Sequence, residues 1–113
     1  MNRQDAFNAA FLGLRAQDFE LSRRPDGGCV YRGPRNLRCA VGHMIPDAVY
    51  IEDIEDCRAA HLVRNFPQLA SHLLLEPDFL EELQTVHDEA KSPDDLQHRL
   101  LAFAIAHNLE VPQ

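Results

Sequence analysis

The sequence predicts a mainly helical α+β domain, about five helices packed round one short antiparallel β-hairpin. Three observations point there. Apolar residues return every three or four positions near both ends of the chain, the mark of amphipathic helices. Residues 28–42 are instead β-prone and punctuated by Gly and Pro. The 113 residues, 45% hydrophobic and 26% charged, suit one globular domain over 1–113 with apolar surface for a single core.

Taken in order, Phe7, Ala10, Phe11 and Leu14 share one helical face, so residues 3–18 read as the first helix, with Gly13 a mild defect in it. Pro25-Asp26-Gly27-Gly28 is a turn signal. Cys29 to Arg32 and Leu37 to Val41 then pair as a hairpin, inset at about 28–42, across Gly33-Pro34-Arg35-Asn36. With Cys29 opposite Cys39, one face carries Cys29, Tyr31, Leu37, Cys39 and Val41, and the other Arg32, Asn36 and Arg38. The four-residue-loop register mixes those faces, so the first is preferred.

Gly42 frees the backbone for a sharp turn, and Pro46 holds Ile45 extended ahead of a helical turn at 47–50. Residues 55–64 read as a short helix presenting Cys57, Ala60, His61 and Arg64 on one side, and the chain restarts at Phe66-Pro67 into another over 68–75. Phe79, Leu80, Leu83, Val86 and Ala90 define the next, with Glu81, Glu82, Asp88 and Glu89 outside and His87 at the rim. Ser92, Asp95 and Pro93 start the last helix, whose core stripe is Leu96, Leu100, Leu101, Ala104 and Ile105. Asn108, backed by Leu109, closes it as a left-handed cap.

The formal net charge is −7, from 18 acids against 11 bases. That field repels phosphates and disfavours nonspecific binding to nucleic acid or anionic lipid. No signal-peptide pattern or membrane-length apolar run is present, and three cysteines cannot all pair internally, so a reducing cytoplasm without membrane attachment is expected. Charge is unevenly placed. Arg23, Arg24, Arg32, Arg35 and Arg38 crowd one segment, and Asp47, Glu52, Asp53, Glu55 and Asp56 follow it.

Tyr31-Arg32-Gly33, Leu37, Ile45-Pro46-Asp47, Leu83-Gln84, His87-Asp88 and above all the string Cys39-Ala40-x-Gly42-x-x-Ile45-Pro46-Asp47 carry a likeness. From Cys29 to Asp88 the chain resembles a group of small, uncharacterised bacteriophage- and prophage-encoded proteins. The resemblance implies an accessory gene of phage or prophage origin and carries no catalytic assignment. The string itself reads as architecture, with Asp47 capping the helical turn that follows it.

Several constellations could carry chemistry. Cys39-x-x-x-His43 and Cys57-x-x-x-His61 offer two thiolates and two imidazoles, a set that satisfies tetrahedral zinc. Packed thiols and ordinary histidines explain the same residues, and the tight Cys-x-x-Cys knuckle is absent. Cys39 or Cys57 beside a histidine could act as a nucleophile, and the acids at 52–56, with His87-Asp88, could hold Mg²⁺, but no motif assembles either site.

Arg32, Arg35 and Arg38 suit phosphate, or else pair with the acids at 47–56, which is the default. Glu81, Glu82, Asp88 and Glu89 form an acidic helix face fit for a basic protein, or simply for solubility. The expectation is therefore a non-enzymatic phage- or prophage-derived accessory protein that binds a host or phage protein through charged surfaces. A zinc-stabilised nucleic-acid-binding module using Arg32, Arg35 and Arg38 is the alternative, and a small hydrolase the second.

Overall fold

The computed structural model describes residues 2–26, 28, 30–70, 73 and 76–113. Five α-helices are found among them: α1 (Arg3–Ala16), α2 (Leu62–Asn65), α3 (Pro67–Ala70), α4 (Pro77–Asp88) and α5 (Pro93–Ala106). Between α1 and α2 the chain makes short 3-10 turns at Pro34–Asn36, Val41–Met44, Asp47–Val49, Glu52–Asp56 and Ala59–His61.

The three long helices follow their local chemistry. Asn2 caps α1 by accepting the Asp5 N–H at 2.8 Å, and Ser92 caps α5 by accepting the Asp95 N–H at 3.1 Å. Pro77 and Pro93 stand at the first positions of α4 and α5, where no intrahelical N–H is required. Asn108, at φ 55°, terminates α5 as expected, and the Leu109 N–H returns to the Ala104 carbonyl at 2.8 Å.

Ala6, Phe7, Ala10, Phe11 and Leu14 of α1 are buried, as their spacing predicts. Phe7 stacks on Phe103 at 6.0 Å and Phe103 meets Phe79 at 5.5 Å, so aromatic contacts tie α1, α5 and α4 into one core. The α5 stripe needs one correction. Ile105 is 82% exposed, and Phe103 takes its place inside, because the buried arc runs through Leu96, Leu100, Phe103 and Ala104.

The β-hairpin expected over 28–42 is not formed. Among the described residues there is no β-strand; an isolated antiparallel bridge joins Arg32 to Arg38, and Arg23 holds a further isolated bridge position. Cys29 lies outside the described residues, and the bridge matches neither register weighed from the sequence. The physical reason lies in where the backbone groups go. The Tyr31 and Arg32 N–H groups donate to the Glu55 carboxylate at 2.8 and 3.2 Å. The Arg38 N–H donates to Gln17 at 3.1 Å and the Arg38 carbonyl accepts from the Gln17 amide at 2.8 Å. Side chains satisfy the groups a ladder would have paired. Arg35 and Asn36, at φ 57° and 61°, curl the connection, and the chain enters a 3-10 turn at Val41.

The helix expected over 55–64 is also broken. Cys57 and Arg58 are extended, at ψ 139° and 148°, and helical geometry resumes only at Ala59. Tertiary bonds hold the break, since Tyr31 Oη donates to the Cys57 carbonyl at 2.7 Å and the Ala60 N–H donates to Glu81 at 3.3 Å. The expected helix over 68–75 is α3 as far as Ala70, and residues 71, 72, 74 and 75 lie outside the described set. No helix among the described residues is long and apolar enough to cross a membrane.

Candidate functional site

The irregular segment from residue 20 to 60 lies against α4, and the polar side chains of α4 organise it. Gln84 and His87 fall one and two turns beyond Leu80 on its buried face. The Gln84 carbonyl oxygen accepts the Val41 N–H at 3.0 Å, and its amide donates to Asp88 Oδ1 at 2.8 Å. His87, expected at the rim, is fully buried. Its Nε2 accepts the Ser22 N–H at 3.0 Å, which leaves the proton on Nδ1 to be donated to Asp88 Oδ1 at 3.0 Å. Ser22 Oγ in turn donates to the Val30 carbonyl at 2.8 Å.

Cys39 sits inside this network, fully buried, beside Gly42 and Gln84. Burial pushes the thiol pKa far up, and nearby carboxylates add to the effect. A protonated, enclosed thiol is a poor nucleophile. Tyr31, hydrogen-bonded to Cys57, is likewise pushed up by burial.

The arginines bring the second cluster together. Asp47 Oδ1 lies 2.8 Å from Arg32 and 3.1 Å from Arg38. Asp47 is thus an ion receptor, not the expected cap, because no side-chain capping bond forms at that turn. Arg32 also donates to the Ile45 carbonyl at 3.0 Å and lies over the Tyr50 ring at 4.1 Å. Tyr50 Oη donates to Glu55, and burial, then that carboxylate, pushes its pKa up to about 12. Arg35 is exposed, 3.8 Å from Glu20.

Two cavities, of about 380 and 420 Å³, share Val30, Glu55 and Asp56 and so adjoin, the two halves of a surface groove. The first lies between α4 and residues 55–59, with Tyr31, Cys57, Glu81, Gln84 and Asp88 among its walls. The second continues past Pro25, Pro34 and Tyr50, with Arg24, Arg32 and Glu52 beside them. Glu55 is committed to Tyr31, Arg32 and Tyr50, and Asp88 to Gln84 and His87; Asp56 and Glu81 are the carboxylates beside α4 that meet exposed arginines.

Compared with family models, with curated proteins and with solved structures, the chain has no significant match.

The sequence-derived candidates divide between scaffold and surface. Within the acidic set, Glu81 holds Arg58 at 2.7 Å and the Ala60 N–H, and Asp88 accepts from Gln84 and His87. Glu82, 3.0 Å from His107, and Glu89 face outward. In the thiol and imidazole set, the break at Cys57-Arg58 removes the helical i, i+4 relation of Cys57 to His61. His43 packs on Gly13 and reaches Gln17 Oε1 through Nε2 at 2.9 Å. No group of three His, Cys, Asp or Glu side chains able to hold a metal is found among the described residues.

Gln17 and Ser22 went unread in the sequence, and Glu55 was read only as one of the acids at 47–56, because no periodicity marks a side chain that serves distant backbone. Gln84 and His87 did carry a signal, their spacing from Leu80 and Leu83.

Proposed function

We propose that this chain acts without catalysis of its own, as an accessory protein of phage or prophage origin that binds a basic host or phage protein through its acidic surface. One observation carries the reading: Asp47 draws in both Arg32 and Arg38, at 2.8 and 3.1 Å. Part of the basic segment's charge is thereby offset internally, with Asp56 against Arg24 and Glu20 against Arg35 adding to it. The carboxylates of Glu52, Asp53, Asp56 and Glu89 stay exposed, and the net charge of −7 is expressed at the surface. The same pairing weakens the case for nucleic acid, since Arg32 and Arg38 already share a carboxylate and Arg35 lies 3.8 Å from Glu20. The phage or prophage origin rests on the sequence resemblance alone.

Affinity capture from host lysate tests the reading. The expected result is a basic protein retained at low salt, released by about 0.5 M salt as screening shortens the field, and lost when Glu52, Asp53, Asp56 and Glu89 are changed together to amides. Capture indifferent to salt and to those substitutions would falsify it. So would tight nucleic-acid binding that depends on Arg35.

A further inference from the structure

The groove shared by the two cavities has a more definite occupant. We propose that it docks an extended peptide segment of the partner, placing an arginine side chain between Asp56 and Glu81. The inference rests on the acidic-surface reading and adds the place and the chemistry of contact.

Shape and charge both favour that occupant. Each cavity, about 380 and 420 Å³, is of a size that takes a long side chain. The half beside α4 is lined by Glu55, Asp56, Glu81 and Asp88 against the single cation Arg58. The other half supplies Pro25, Val30, Pro34 and the Tyr50 ring, apolar surface for the residues flanking such an arginine. A partner that is both basic and partly apolar complements the α4 half by charge and the other half, where Arg24 and Arg32 also stand, by its apolar wall.

The groove's carboxylates already hold guanidinium groups. Arg58 Nε lies 2.7 Å from Glu81 Oε1, and the Arg24 guanidinium lies 3.3 Å from Asp56 Oδ1. The second Glu81 oxygen is fixed by the Ala60 N–H, so the carboxylate is aimed before any partner arrives. Both arginines are loosely seated, with side chains 76% and 43% exposed, and Asp56 is 89% exposed. Exposed pairs of this kind are worth little, so exchanging an internal guanidinium for an incoming one costs little. Arg58 and Arg24 therefore act as placeholders that a partner's arginine displaces.

The probe is a labelled octapeptide of alternating arginine and proline, which is extended by composition and carries both required chemistries. Its binding is followed by fluorescence anisotropy and by amide shifts in the full chain. D56N and E81Q should each weaken binding roughly three- to fivefold, and R58A should tighten it about threefold. An E82Q/E89Q control should change it by less than about twofold. Amide shifts should centre on Glu55 to Ala59 and on Thr85. D56N touches only an exposed pair, so its result stands even if E81Q perturbs folding.

Equal weakening in the E82Q/E89Q control, or weaker binding by R58A, overturns the groove and leaves the acidic-surface reading intact. A lysine-proline peptide that binds equally well overturns the arginine assignment. No peptide binding alongside salt-sensitive capture of a basic protein overturns the groove alone. Absence of both overturns the two together.

Discussion

The side-chain carbonyl of Gln84 accepts the backbone N–H of Val41 at 3.0 Å, so a helix side chain stands where a neighbouring strand's carbonyl would have stood. The same amide donates to Asp88, and Gln84 is buried. Its replacement by leucine strands a buried N–H, which costs about 1–3 kcal/mol. Thermal unfolding of Gln84→Leu should show a Tm lower by roughly 4 °C or more. Gln84→Met, which keeps the side-chain length and removes the acceptor, should lose as much. A loss well below about 1 kcal/mol in both variants would sink the account of Gln84 as a backbone receptor.

Gly13 and Gly42 are places of close approach. A methyl group on Gly13 would lie 2.3 Å from the His43 ring, and one on Gly42 would lie 2.2 Å from the Tyr31 carbonyl oxygen. A ring can be pushed aside, whereas the Tyr31 backbone is fixed on both sides, by Glu55 at its N–H and by the approach to Gly42 itself. Overpacking of this kind costs about 1–3 kcal/mol. Gly42→Ala should therefore destabilise more than Gly13→Ala, despite the helix propensity alanine brings at position 13. Denaturant midpoints measure the order, and a stabilised Gly13→Ala would show that the ring moves freely.

Legibility in the sequence tracked periodicity. The buried face of α1, the Phe79, Leu80 and Leu83 stripe of α4 and the caps at Ser92 and Asn108 were readable, because each is fixed by neighbours within a few residues. The hairpin was misread for the complementary reason. Residues 29–41 have β-prone composition, but their backbone partners are Glu55, Gln17 and Gln84, chosen by tertiary proximity and invisible to local pattern. The grouping of Arg32 with Arg38 did survive, since both meet Asp47, while the hairpin that suggested it did not. Pairing of those arginines with the acidic stretch was legible from charge order alone.

Asp47 bridges two arginines while itself 78% exposed, so its removal should matter more for surface field than for stability. Asp47→Asn is expected to cost no more than about 1 kcal/mol. It should nevertheless free Arg32 and Arg38 to face anions. Retention on a heparin column should rise for Asp47→Asn relative to wild type, and the gain should vanish when Arg38→Gln is added. Unchanged retention would mean that Tyr50 and the Ile45 carbonyl, not Asp47, keep Arg32 turned inward.

His43 supplies a pH dependence with a definite sign. Burial, then the charge of Arg38, lowers its pKa from 6.5 to about 4. Its Nε2–H donates to Gln17 Oε1 at 2.9 Å, and its ring fills the space over Gly13, so the native state holds it neutral. The unfolded chain takes up a proton near pH 6.5 that the folded chain takes up only near pH 4. Between those values the unfolded state binds more protons, and stability falls as pH falls. The contribution is fully present above the unfolded pKa and is lost on acidification through the folded one. Because the ring is only partly buried, the difference across the window is discounted to about 1–2 kcal/mol. The comparison that isolates it is wild type against His43→Gln, whose other titrating groups are shared. Unfolding free energy from denaturant titration should fall more steeply for wild type between pH 6.5 and pH 4. Parallel curves through that window would mean that the ring charges as readily in the folded protein as in the unfolded chain.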